Sequence, residues 1–195
     1  GRFLLRLHGW RVTGTLPDHP RVVMAGMPHT SNWDGYFAIL FVMSTGLRIS
    51  LIIKKSWIDG PLGGFMRAMG FIGVDRNAPR GFAEQVADAF RRNEHFWLGV
   101  TPEGTRTGAT ELKSGFQRIA LAADALILPV CIDFQHKAIR LGAAFPATAD
   151  PEADMTRLLA GLPGLAWPRH LHRLSAPARR ALTMNGELQR PDPLD

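Results

Sequence analysis

The sequence predicts a single-domain α/β protein with a layered, largely parallel central sheet flanked by helices. Three observations lead there. Short apolar runs alternate with helical patterns along most of the chain, the arrangement that produces strand–helix–strand layers. Runs such as Val22-Val23-Met24-Ala25-Gly26-Met27 are dense enough to be buried strands. The length, 195 residues of which 46% are hydrophobic, suits one domain with a substantial core.

The elements follow in order. Residues 1–20 form an N-terminal segment in which Phe3, Leu7 and Trp10 fall at helical spacing with Arg2 and Arg6 on another side. This is either an interfacial helix, aromatics in head groups and arginines on phosphates, or a helix packed on its own domain. Residues 21–165 carry the main domain. Strands are predicted at 21–27, 49–53, 71–74, 96–100, 127–132 and 139–145. Helices are predicted at 33–45 (closed by Gly46), 62–69, 82–92, 115–123 and 154–159. In the helix at 82–92, Phe82, Val86, Ala89 and Phe90 share one face. Residues 166–195 form a basic C-terminal tail; between Arg169 and Arg190 there are five arginines and one acid, Glu187, a pattern that reads as a solvated face.

Composition narrows the function. A formal net charge of +6 and a pI near 10.4 favour an anionic partner, either a lipid surface or a phosphorylated substrate. Nucleic acid is set aside, because there is neither zinc-finger spacing nor an aromatic ribonucleoprotein signature. The single cysteine, Cys131, excludes a disulfide framework within the chain and reads as a buried thiol. No run of 18 apolar residues is present, so no segment must span a bilayer. His8, His19, His95, His136, His170 and His172 show no metal-ligand spacing, and no metal is expected. His170 and His172 read as surface residues, and the tryptophans at 57, 97 and 167 as core or membrane-facing.

Two segments carry chemistry. In Pro28-His29-Thr30-Ser31-Asn32-Trp33-Asp34 a histidine precedes an aspartate by five positions. Five helical residues turn about 500°, so the two side chains meet only if His29 lies on the turn before the helix and Asp34 in its first turns. Thr30, Ser31 and Asn32 are all suitable N-caps, and a carboxylate is favoured near a helix N-terminus. Asp34 would then hold one ring nitrogen of His29 and leave the other to accept a proton. The alternative is a turn histidine and a helix-stabilising acid. The second segment, Thr101-Pro102-Glu103-Gly104-Thr105-Arg106, follows a predicted strand. Gly104 permits a tight bend, Thr105 and Arg106 offer donors for phosphate or hydroxyl oxygens, and Glu103 either orients the arginine or binds a substrate hydroxyl. Arg76 projects from another strand end, with Asp75 beside it in sequence, and Lys54, Lys55 and Lys113 add positive potential. His29, Arg76 and Glu103 all lie just past strand ends, where ligands gather in such sheets.

These segments resemble the lysophosphatidate acyltransferase family of glycerolipid acyltransferases, marked by His-x-x-x-x-Asp. His29 to Asp34 matches the first motif and Gly70 to Arg76 the second. Thr101 to Thr107 matches the third with Thr101 and Thr107 as mild departures, and Ile127-Leu128-Pro129-Val130 matches the fourth; Lys113 and Gly115 fit the family's downstream lysine and glycine. The resemblance implies transfer of a fatty acyl group from acyl-CoA or acyl carrier protein to the hydroxyl of a lysophospholipid-type acceptor, without a further cofactor. His29 would be the general base and Asp34 its orienter. Arg76, Glu103, Gly104, Thr105, Arg106 and Lys113 would hold the acceptor, chiefly its phosphate. No Gly-x-Ser-x-Gly elbow is present and no acyl-enzyme is needed. The family also implies a cytoplasmic protein at the inner face of the membrane; with only 28 residues before His29, either that contact is light or the natural N-terminus is longer. The alternatives are a non-phosphate acceptor (an ornithine lipid or specialised metabolite), a hydrolase, or a non-catalytic lipid-binding relative.

Overall fold

In the computed structural model, which describes residues 1–68, 70–74, 86, 90, 92–161 and 168–184, the predicted α/β architecture is observed. The strands are β1 (Arg11–Thr13), β2 (Arg21–Gly26), β3 (Ile49–Lys54), β4 (Ile72–Val74), β5 (Phe96–Val100), β6 (Leu126–Asp133), β7 (Ala138–Leu141) and β8 (Phe145–Pro146). The helices are α1 (Arg2–Leu7), α2 (Asn32–Thr45), α3 (Lys55–Ile58), α4 (Gly63–Ala68), α5 (Gly115–Ala122), α6 (Pro151–Ala160) and α7 (Ala176–Met184), with a 3₁₀ turn at Leu171–Arg173. The sheet order is β1-β7-β6-β2-β5-β3-β4, with β8 also on β6. Among the described residues only the β6–β7 and β6–β8 pairings are antiparallel.

Side chains alternate between two cores. Val23, Ala25 and Met27 face one with Leu98, Ile127 and Cys131, while Val22 and Met24 face the other with Trp97 and Leu128. Helices cover both faces, so the central strands are apolar at nearly every position. The first core takes Phe116 and Ile119 from α5, Leu158 from α6, and the buried helical residues Val86 and Phe90. The second takes Phe37, Leu40 and Phe41 from α2 and Leu5 from α1. Residues 82–85, 87–89 and 91 of the helix expected at 82–92 lie outside the described residues, as does Arg76.

Several expectations need amending. The N-terminal helix ends at Leu7, and Trp10 instead is buried and stacks on Phe37, ring centroids 3.8 Å apart. α1 packs on α2 through Leu5 and leaves Phe3 and Leu7 outward. The strand expected at 139–145 is two strands, β7 and β8, separated by residues 142–144, with the Gly142 N–H still donating to the Pro129 carbonyl at 2.9 Å in continuation of the β6–β7 register. Pro129 lies level with Ala25 of β2 and accepts the Gly142 N–H on its other side, but having no N–H it returns no bond to Gly142, and the β6–β7 pairing starts at Val130. The solvated tail expected beyond residue 165 is the largest departure. Leu174, Ala178 and Leu182 are buried in the first core, since α7 carries an apolar face as well as its arginines.

Candidate active site

β2 and β5 are adjacent and parallel, with Ala25 level with Val100. Both chains therefore leave the sheet at the same edge, which brings the loop after β2 beside the loop after β5. The Met27–Pro28 peptide is cis, and His29 follows it. Ser31 is the N-cap of α2, its hydroxyl accepting from the Trp33 N–H at 3.2 Å, and Asp34 occupies the third position of the helix. The geometric condition read from the spacing is met. Asp34 Oδ2 lies 3.1 Å from His29 Nδ1 and also accepts the backbone N–H groups of Thr30 and Ser31 at 2.7 and 2.8 Å. The Ser31 hydroxyl donates to Oδ1 at 3.3 Å. One buried carboxylate thus caps the helix, shapes the loop and fixes the imidazole.

The other ring nitrogen identifies the tautomer. Arg106 Nε–H donates to His29 Nε2 at 3.2 Å. A guanidinium has no acceptor, so Nε2 supplies the lone pair and Nδ1 carries the proton that Asp34 holds. The ring therefore presents a basic nitrogen toward Arg106, and that nitrogen is the one able to take a proton from a hydroxyl.

Glu103 lies beneath the loop, only 3% exposed. Its Oε2 accepts the backbone N–H of His29, so the carboxylate braces the loop rather than holding Arg106. Burial pushes the Glu103 carboxyl above the ordinary glutamate value; Ser175 beside it and the His29 N–H bond pull the other way. Neither Glu103 Oε1 nor Ser175 Oγ completes a hydrogen bond of ordinary geometry. Gly104 adopts φ +63°, where only glycine is unstrained, and a Cβ there would lie 3.3 Å from Lys113 Nζ. Lys113 is thereby laid along the same turn, its N–H held by the Pro102 carbonyl at 2.8 Å. The Thr105 hydroxyl is turned to Thr107, 3.1 Å away. His29, Asp34, Glu103, Gly104, Arg106 and Lys113 are thus neighbours through a chain of direct contacts.

The structure adds residues that sequence reasoning left as surface. A pocket of about 440 Å³ opens beside Arg106, bounded by Asn32, Trp33, Arg169, His170 and Arg173. The C-terminal segment is tied to both site loops. His170 N–H donates to Thr30 Oγ1 at 3.3 Å, Gly108 N–H to the Arg173 carbonyl at 3.0 Å and Ala176 N–H to the Ala109 carbonyl at 2.8 Å. The sequence signal was a run of five arginines with a single acid, Glu187. A larger cavity of about 650 Å³, lined by Leu112, Ser114, Asp150, Glu152 and Met155 among others, shares no residue with the site and carries two acids on its wall. Among the described residues no cluster of His, Cys, Asp and Glu is arranged to hold a metal ion.

A doubly covered, mainly parallel sheet with a carboxylate-held imidazole at its edge defines an α/β protein equipped for proton transfer next to a cationic pocket. A family model described as acyltransferase matches residues 10–133, more than half of the sequence, and the chain belongs to the acyltransferase family. The matched stretch contains His29, Asp34, Arg76, Glu103 to Arg106 and Lys113, and ends before the C-terminal segment. No curated protein matches the chain significantly.

Proposed function

We propose that this acyltransferase moves a fatty acyl group from acyl-CoA or acyl carrier protein to the hydroxyl of a lysophospholipid-type acceptor, with His29 as general base. The observation that carries the reading is the His29 tautomer: Nδ1–H on Asp34, and Nε2 accepting from Arg106, whose side chain also lines a pocket.

In the resting protein Arg106 occupies the Nε2 lone pair. An anionic acceptor competes for that guanidinium, and as Arg106 swings to the anion it vacates Nε2 for the acceptor hydroxyl. His29 Nε2 then takes the hydroxyl proton while the oxygen attacks the thioester carbonyl. The tetrahedral intermediate collapses, the C–S bond breaks, and the departing sulfur takes the proton back from the imidazolium. Asp34 holds the ring through both transfers and offsets the positive charge between them. Gly104, Thr105, Arg106, Lys113 and Arg76 serve the acceptor. Glu103 acts at one remove, by fixing the backbone of His29. The protein works at the periphery of a membrane, where a lysophospholipid-type acceptor resides. Among the described residues no helix is long and apolar enough to cross one.

His29→Ala removes the base without touching the caps of α2. Turnover with an acyl thioester and a lysophospholipid should fall by about 10²–10⁴, the usual contribution of a positioned general base, with the melting temperature nearly unchanged. Near-normal turnover by the folded variant would refute the assignment. A panel of phosphate-bearing and phosphate-free acceptors, read by product mass spectrometry, identifies the acceptor class.

A further inference from the structure

We propose that Arg106, Arg169 and Arg173 form a phosphate-binding subsite, two-thirds of it supplied by a C-terminal segment that lies outside the acyltransferase-matched residues. In its assignment of the phosphate to a substrate, this rests on the acyl-transfer reading above.

The pocket has three guanidiniums on its wall and no acidic side chain. Among the described residues, none of the three has a carboxylate partner. Clustered cations repel one another, and a fold that brings three together without an acid leaves room for an anion to neutralise them. Guanidinium forks match phosphate oxygens in pairs, and a dianion suits three of them better than a single carboxylate does.

Arg169 and Arg173 are also held in place. Arg169 lies over the Trp33 ring at 5.2 Å and the Phe134 ring at 5.8 Å, contacts that restrain the guanidinium while leaving its N–H edge open. Arg173 has one long contact, Nη1 to the Thr30 carbonyl at 3.5 Å, and its backbone carbonyl is fixed by Gly108. Arg106 bridges the pocket and the base, since its Nε is on His29 Nε2. An anion that engages Arg106 is held by the same side chain that reaches the reacting nitrogen. That suits a phosphate a few bonds from a nucleophilic hydroxyl, or the phosphate of a thioester carrier whose acyl end reaches the same point.

The direct test uses inorganic pyrophosphate on the whole protein, with Trp33 fluorescence as reporter and Trp33→Phe to assign the signal. The variants are Arg169→Met, which keeps a flexible stem against Trp33, and Arg173→Gln. The charge-retaining Arg169→Lys and Arg173→Lys and thermal melts serve as folding controls. We expect saturable, salt-sensitive binding that weakens about tenfold or more in Arg169→Met and Arg173→Gln, as for a lost charge-assisted hydrogen bond, and recovers in part in the lysine variants. Absence of saturable binding, or equal affinity in the folded charge-removed variants, overturns the subsite whether or not the protein turns over. Binding that behaves as expected in a protein inert toward every acceptor keeps the subsite and removes the acyl-transfer reading instead. Where turnover is present, the same variants locate the phosphate. A rise in KM for lysophosphatidate, with kcat within about twofold and KM unchanged for a monoacylglycerol, assigns it to the acceptor. A rise for acyl-CoA alone assigns it to the donor. Equal rises for phosphate-bearing and phosphate-free acceptors, or no change in any KM, overturn the proposal.

Discussion

Asp34 has two duties that Asp34→Asn pulls apart. Its Oδ2 receives His29 Nδ1 and two backbone N–H groups. An asparagine has one acceptor oxygen, and if that oxygen keeps the Thr30 and Ser31 N–H groups, the amide side cannot accept from Nδ1. The helix cap therefore survives better than the ring orientation. Asp34→Asn should lower turnover by at least about 10² while costing only about 1 kcal/mol of stability, the scale of an altered cap. Urea denaturation and steady-state kinetics on one preparation check both; a variant that loses stability but keeps its rate would make Asp34 a purely structural cap.

Glu103 makes the opposite kind of prediction, one about pH. Burial raises its folded value above that of the unfolded chain, so the folded state holds that proton more tightly. The stability it contributes is full below the ordinary glutamate value and is lost as pH rises through the raised folded value. Glutamine does not titrate, and its amide oxygen still accepts the His29 N–H. The stability of the wild type relative to Glu103→Gln should decrease as pH rises from 4.5 through the raised folded value and then level off. Chemical denaturation at stepped pH measures the difference; a flat or rising curve contradicts the placement of the carboxyl. The sequence marked Glu103 as part of the site but left its role between holding the arginine and binding substrate. The depth of the residue gives it a third role, bracing the backbone of His29, and depth depends on which loop packs above it.

At the scale of elements, strand positions were legible because a run buried on both faces leaves an unbroken apolar signature. The strand read at 96–100 is β5 to the residue, and α2 closes at Gly46, which adopts φ +74° as a left-handed cap. The site loops were legible for a related reason: an apolar run that stops abruptly at Pro28 or Pro102 places the following polar residues at a sheet edge. β1 and α3, with three and four residues, are too short for any period to register. The docking of residues 169–176 was invisible, because its bonds to Thr30, Gly108 and Ala109 span 65 to 140 positions and arise from tertiary packing alone. β6 offers a check on the sheet itself. Burial, reinforced by the charge of Asp133, pushes the Cys131 thiol upward, and the strand is paired on both sides. Cys131 should resist maleimide under native conditions and label fully in denaturant. Native labelling at the rate of a free thiol would mean that this part of the sheet opens.

At the scale of the molecule, the proposed acyl transfer raises the question of how the chain meets lipid substrates, since among the described residues no helix is long and apolar enough to cross a membrane. Phe3 and Leu7 on α1, and Trp57, Leu62 and Phe65 on and around α3 and α4, are more than half exposed. Arg2 and Arg6 accompany the first group and Lys55 and Arg67 the second. An anionic surface attracts each nearby cation by about 1 kcal/mol, and each inserted apolar side chain adds a comparable amount. Neither α1 nor α3–α4 alone provides more than a marginal, reversible hold, because a stable peripheral anchor needs two signals acting together. The expected behaviour is therefore cooperative. The protein should sediment with vesicles of mixed phosphatidylglycerol and phosphatidylcholine, bind pure phosphatidylcholine poorly, and release as salt approaches about 0.5 M and the Debye length shrinks to a few ångströms. Replacing Phe3 and Leu7 with serine, or Trp57 and Phe65 with serine, should each weaken binding about tenfold or more, and the four changes together should abolish it. If the apolar changes leave binding intact while salt removes it, the contact is electrostatic only. If neither salt nor substitution matters, the exposed side chains serve some purpose other than holding a membrane.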